Sequence, residues 1–261
     1  MAQSDYVQPQ TRAGVRTAEI DAGLRAHMNK IYGTMSVGLV MTGLVAWALS
    51  MLAVTSDPSN ATAAIREGTY LTDLGYALYA SPLKWVLMFA PLAFVFGISA
   101  GVNKMSAPVL QLTFYAFAAV MGASISSIFL IYTGASIVQT FFITAAAFAG
   151  LSLYGYTTQR DISGWGSFLI MGVIGILIAS VVNIFLASSA LAFGISAIGV
   201  LVFAGLTAYD TQRLKSEYIM YATHPGAGEM LGKSAILGAL SLYLNFINMF
   251  MMLLSLFGNR E

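Results

Sequence analysis

The sequence predicts an all-α polytopic membrane protein with seven transmembrane helices. Composition is the first reason: of 261 residues, 58% are hydrophobic and 9% charged, whereas a soluble domain carries about a quarter charged residues. Mean hydropathy is +0.78. Segmentation is the second, because the apolar residues gather into seven runs near the roughly 20 residues that a helix needs to cross a bilayer. The third is the length of these runs and the shortness of the turns between them, which favour helices over the roughly ten-residue alternating strands of a membrane barrel.

The N-terminal 30 residues are polar and mixed in charge. They lack the basic start and apolar core of a cleaved signal peptide, so the first span is expected to insert uncleaved. Leading into the first span, Ile20, Leu24, Met28 and Ile31 recur at helical spacing, which reads as a plain polar lead-in or, alternatively, as a short amphipathic helix lying on the inner membrane surface. The transmembrane domain is expected over 31–257, followed by a short tail at 258–261. Its spans are predicted at Ile31–Val54, Trp85–Val102, Val109–Tyr132, Ile137–Tyr156, Trp165–Leu186, Leu191–Tyr209 and Ile236–Phe257. The third and fourth, and the fifth and sixth, are close enough in sequence to form tight hairpins. The one long connection, Thr55–Lys84, is rich in Thr, Ser and Asn. Pro91 is expected to kink the second span. Small residues recur at helix-packing intervals, among them Gly172 and Gly175, and Gly194, Gly199 and Gly205; such faces let helices approach in lipid, where apolar burial gives no preference.

Lys and Arg set the orientation. With the N-terminus inside, the inner segments hold Arg12, Arg16, Arg25, Lys30, Lys104, Arg160, Arg213, Lys215 and Lys233, and the outer ones Arg66, Lys84 and Arg260. That division, nine against three of the twelve, predicts a cytoplasmic N-terminus and, with seven spans, an external C-terminus.

Asp210 is the one carboxylate lying against a predicted span. An aspartate at mid-span costs roughly 2.5–3.5 kcal/mol, which makes it a functional candidate; the alternative is a residue at headgroup level that ends a helix. The last span carries a matching feature. Ser234, Gly238, Ser241, Asn245, Asn248 and Ser255 share one helix face, and two asparagines in a membrane helix need hydrogen-bond partners. This face either packs centrally or lines a wet cavity. The fourth and sixth spans are followed by similar strings, Tyr156-Thr-Thr-Gln-Arg160 and Tyr209-Asp-Thr-Gln-Arg213.

Several chemistries are disfavoured. A net charge of +1 and no basic stripe argue against nucleic acid. With no cysteine there is no disulfide, thiol catalysis or cysteine metal site. His27 and His224 lie outside the predicted spans, no His-Glu-x-x-His occurs, and an aspartyl protease needs two carboxylates. An enzyme is not expected, nor a cofactor.

Thr157-Thr-Gln-Arg-Asp-Ile-Ser163, Tyr209-Asp-Thr-Gln212 and Leu240-Ser-Leu-Tyr-Leu-Asn-Phe-Ile-Asn-Met-Phe250 resemble the Bax inhibitor 1 family in its bacterial branch, from about residue 20 onward. The resemblance implies six helices around a central seventh in a bacterial inner membrane. It also implies a pH-sensitive calcium leak and, for some bacterial members, modulation of a membrane-bound AAA protease. By the same resemblance, Arg160, Asp161, Tyr209, Gln212 and Arg213 form secondary motif positions.

The family's proposed pH sensor is a pair of hydrogen-bonded aspartates. One falls on Asp210; the other falls on Asn245, which is not acidic. The basic partner that some members place in the second span is absent from that span's interior here. Two carboxylates in contact titrate as a unit, whereas an amide can donate to an ionised Asp210. The expectation is a structural latch with weakened pH sensing. Asp210 would attract the cation, calcium foremost, and Ser241, Asn245 and Asn248 would line its path. The other expectation is a non-conducting modulator that binds a membrane protease or another membrane protein.

Overall fold

The computed structural model describes residues 9–60, 62–66, 68–222, 224 and 227–260, and among these the side chains of all but residues 9–18 and 60. Residues 1–8, the side chains of Arg12 and Arg16, and residue 261 of the predicted tail lie outside the described residues. Seven helices among the described residues are long and apolar enough to cross a membrane. They are α1 (Pro9–Ala53), α2 (Leu83–Gly101), α3 (Ala107–Ile125, with a further turn at Ile128–Ile131), α4 (Gly134–Thr157), α5 (Trp165–Leu186), α6 (Ser189–Tyr221) and α7 (Ala227–Phe257). The chain is a polytopic helical membrane protein.

Burial puts α7 at the centre. In its most apolar stretch 67% of residues are buried, against 33% or less in every other span and 11% in α2 and α5. α7 packs on α6, α1, α4 and α3, whereas α2 leans mainly on α3, and α5 on α6. The core on α7 includes Tyr243, whose ring meets Phe114 and Phe117 edge-on and whose hydroxyl bonds Thr42 of α1 at 2.7 Å. That pairing satisfies a fully buried phenol, which would otherwise cost free energy in a dry interior.

Three helices outrun their apolar stretches. α1 is continuous for 45 residues, so the stretch read as a lead-in or surface helix is part of the first span's own rod. Leu24, Met28 and Ile31 are buried in the bundle, because that apolar stripe finds protein to pack on rather than headgroups. α6 does not end at Tyr209 but continues to Tyr221, and α7 begins at Ala227 rather than Ile236. Hydropathy marks where lipid ends, whereas the helix continues while its polar groups pair along it. Arg213–Glu217 and Glu229–Lys233 are such i,i+4 pairs. Asp210 therefore does not terminate a helix. α2 runs through Pro91 as a single helix.

Both short turns form, but only the second makes a hairpin: α5 packs along α6, whereas α3 and α4 diverge from their shared turn, α3 onto α1 and α2 and α4 onto α6 and α7. Thr133 and Ser188 cap α4 and α6, their hydroxyls accepting from the amides of Ser136 and Leu191. Ala187 makes the second turn in the left-handed region at φ 48°. The long polar connection holds a small antiparallel sheet of β1 (Val54–Thr55), β2 (Ala63–Arg66) and β3 (Thr69–Leu71) in the order β1-β3-β2. Val54 pairs with Leu71, and Ala64 with Tyr70. Strands so short carry too little alternation to be read from sequence.

α7 crosses the whole bundle. Gly232, near its start, approaches Ala107 at the head of α3. Beyond its end, the Asn259 carbonyl accepts from the Thr133 amide at the α3–α4 turn at 3.0 Å. One end of the molecule thus carries the N-terminal part of α1 and the α2–α3, α4–α5 and α6–α7 connections. Nine of the twelve Lys and Arg residues belong to it, and it is called the basic end below; the other is the sheet end.

Candidate functional site

Asp210 sits about 21 residues along α6, roughly 32 Å from its start at the sheet end. That depth is the far edge of a hydrocarbon core about 30 Å thick. The residue is 5% exposed. Its Oδ2 accepts from Ser241 Oγ at 2.7 Å and Asn245 Nδ2 at 2.8 Å, and Arg213 Nη2 lies 3.0 Å from Oδ1. Every partner is a donor, as suits an ionised carboxylate. Protein contact and an internal counter-ion together offset the cost of placing the charge there.

The shared face of α7 is turned toward α6. From the basic end, Ser234 bonds Glu217 at 3.4 Å, Gly238 receives Leu214, and Ser241 and Asn245 hold Asp210. Nearer the sheet end, Ser196 bonds Ser255 at 3.1 Å. Asn248 stays out of the cluster: its Nδ2 donates to its own helix at Leu244 O, 2.9 Å away. Between these groups Met252 packs on Gly199, so apolar atoms close the seam between Asp210 and the serine pair.

Glycines at four positions let other elements close around this half of α6. Gly23 of α1 faces Tyr218, Gly155 of α4 the backbone of Ala208, Gly166 of α5 the ring of Tyr209, and Gly238 the side chain of Leu214; a Cβ at any of them would come within 3.0 Å of the facing atoms. Of the glycines noted in the repeats, Gly172, Gly199 and Gly205 make such approaches, whereas Gly175 and Gly194 meet nothing within 4 Å.

The two similar strings lie together. Gln212 donates through Nε2 to the Arg160 carbonyl at 2.8 Å, and its Oε1 accepts from the Ile162 amide at 3.0 Å. One side chain thereby clamps the α4–α5 connection to α6. Asp161 accepts from the Ser163 amide at 2.9 Å, and that hydrogen bond holds its exposed carboxyl below the usual range. Arg160 contributes its carbonyl, and Tyr209 lies beneath the Arg213 guanidinium at 5.9 Å. These residues brace the site from the loop side.

Sequence reasoning placed Arg213 in a secondary motif and did not pair it with Asp210, although the i,i+3 spacing permits it once the helix continues. It also missed Glu217, whose Oε1 lies 3.6 Å from Arg213 Nε. Arg213 spans the two carboxylates and is 41% exposed. It lines a cavity of about 480 Å³ at the basic end together with Asn103, Glu217, Tyr221, Lys233 and Ser234. Asp210 lies directly behind it. No group of three His, Asp or Glu suited to a metal occurs among the described residues.

Comparison with known proteins identifies the architecture. The model of the family described as inhibitor of apoptosis-promoting Bax1 matches residues 24–261. The chain belongs to this family. It is 45% identical over 241 residues to the inner membrane protein YbhL of Escherichia coli strain K12, covering 92% of this chain and 94% of that protein. An uncharacterized protein of Caulobacter vibrioides is 44% identical over 243 residues, covering 93% and 92%. An uncharacterized membrane protein of Streptococcus pyogenes serotype M3 is 30% identical over 244 residues, covering 92% and 96%. The central seventh helix of this Bax-inhibitor-like protein accords with the fold the resemblance implied.

Proposed function

We propose that this Bax-inhibitor-like protein resides in a bacterial inner membrane with its basic end in the cytoplasm and passes a small cation, calcium foremost, under the control of Asp210. The observation that carries the reading is the position of Arg213, between a buried carboxylate and an open cavity. A cation entering from the basic end meets Glu217 and Arg213 before Asp210. To reach Asp210 it must displace the guanidinium, for which Glu217 offers an alternative partner one turn away. The filled seam at Met252 and Gly199 makes this a closed state, so passage requires α6 and α7 to part. The reading involves no catalytic step and no cofactor.

Calcium flux into proteoliposomes tests it, with wild type compared against Asp210→Asn and Arg213→Gln. Asp210→Asn should abolish flux, because the attracting charge is gone. Arg213→Gln should raise it, because the internal competitor is gone. Equal flux in all three would refute it.

One observation favours a second reading. Each Asp210 oxygen already has a protein partner, and α2 and α5 present broad apolar faces, with Phe96, Phe168 and Phe185 among the most exposed. A non-conducting partner of a membrane-bound protease would need no more than such faces. Equal flux, with co-purification of a membrane protein lost on substituting those phenylalanines, would support this second reading.

A further inference from the structure

We infer that the crevice between α1 and α4 at the basic end binds an anionic phospholipid. The crevice has a volume of about 570 Å³. Its floor is buried and apolar, formed by Met28, Met35 and Phe148, with the Tyr32 hydroxyl bonded to Ser152 across it at 2.5 Å. Its α1 rim is exposed and polar at Arg25 and Asn29, and its α4 rim is exposed at Ala149 and Leu153.

The vertical order of these groups matches a lipid. Arg25 and Asn29 precede Ile31, where the apolar run starts, by six and two residues, or about 9 and 3 Å of helix. They stand at headgroup level. Met35 lies about 6 Å inside Ile31, where acyl chains begin. A ligand with a hydrogen-bond-accepting head and an apolar tail, entering from the side, fits that order.

Charge selects the head. Arg25 is the one charged residue lining the crevice. Neither it nor Asn29 makes a hydrogen bond or ion pair with any described residue, although Asp21 is one turn away on the same helix. At the α4 end, Lys215 Nζ lies over the Tyr156 ring at 5.3 Å while bonding the Tyr156 carbonyl. Lys215 stands behind Tyr156 and outside the crevice, so Arg25 is the charge that faces a headgroup, in an opening with no acidic lining. Basic pockets between transmembrane helices at this level are suited to phosphate-bearing headgroups, and an arginine can hold a phosphate through two parallel hydrogen bonds. Nothing in this inference depends on cation passage.

Native mass spectrometry of the detergent-purified protein tests it, with phosphatidylglycerol and phosphatidylcholine of identical chains as probes. Wild type should retain phosphatidylglycerol in preference to phosphatidylcholine. Arg25→Ala, at an exposed position, should weaken that retention roughly fivefold, the effect of one basic group near an anionic lipid. Ala149→Trp should abolish it by filling the crevice, with a size-exclusion profile like that of wild type. Equal retention of both lipids, or phosphatidylglycerol retention unchanged in Arg25→Ala, would overturn the inference. So would inorganic phosphate alone displacing the lipid at millimolar concentration, since the tail would then contribute nothing.

Discussion

Replacing Gly155 by alanine should force α4 away from the Asp210 helix. A Cβ at Gly155 would lie 2.2 Å from the Ala208 carbonyl oxygen and 3.0 Å from its C and Cα. All three are backbone atoms, so no side-chain rotation relieves the clash. Restoring a normal contact requires the helices to part by about 1 Å. The Ser152–Thr211 hydroxyl pair bridges the same two helices at 3.0 Å, and it would stretch to about 4 Å, beyond hydrogen-bonding reach. Overpacking costs about 1–3 kcal/mol, and an interhelical hydrogen bond in a membrane averages about 0.6 kcal/mol. A total near 2–3 kcal/mol corresponds to a fall in Tm of about 5–10 °C for a chain of this size. Gly150→Ala is the matched control: it lies in the same helix, its Cβ meets nothing within 4 Å, and alanine is the better helix former by up to about 1 kcal/mol. Thermal unfolding of the purified variants, followed by fluorescence-detected size exclusion, should show Gly155→Ala well below wild type and Gly150→Ala at or slightly above it. Two variants that unfold together at the wild-type temperature would refute the close approach of α4 and α6.

For topology, Ser59→Cys should react with an impermeant thiol reagent in intact spheroplasts and His224→Cys should not; the reverse would invert the orientation, and the absence of native cysteine keeps the background clean. Asn245→Leu should lower stability by about 1–2 kcal/mol, because a buried carboxylate loses one of its donors; an unchanged Tm would mean that Asn245 does not hold Asp210. Asn245→Asp should make stability fall as pH rises above the ordinary carboxylate range, about pH 4, because two carboxylates in contact share one proton at low pH and repel once both ionise. Wild type should show no such step, and a matching step in its unfolding profile would place the titrating group elsewhere.

Much of the fold was legible because lipid imposes it. A chain that is 58% hydrophobic in helix-length runs has few alternatives, since a backbone in hydrocarbon must satisfy its hydrogen bonds within itself. The polar stripe on α7 was legible for the same reason: Ser241 and Asn245 had to find partners, and the structure gives them Asp210. Asn248 shows the limit of that inference, because a side chain can be satisfied by its own helix at Leu244 and periodicity does not distinguish the two outcomes.

The sequence by itself determined the class of molecule, the seven apolar stretches, the charge bias between the two ends and the two helices whose polar groups meet. Those are properties of composition and period, set by transfer of side chains between water and lipid. Tertiary structure decided where helices end and which charges pair. Arg213 reaches Asp210 because α6 stays helical past the apolar edge, and Gln212 clamps Arg160 and Ile162 from 50 or more residues away. It also decided which small residues matter, separating Gly155 from Gly150 on one helix. The physical reason is common to all three: hydropathy reports the surroundings of each residue averaged over a span, whereas an ion pair, a clamp or a backbone contact depends on ångström distances between segments remote in sequence. Only the packed bundle fixes those distances.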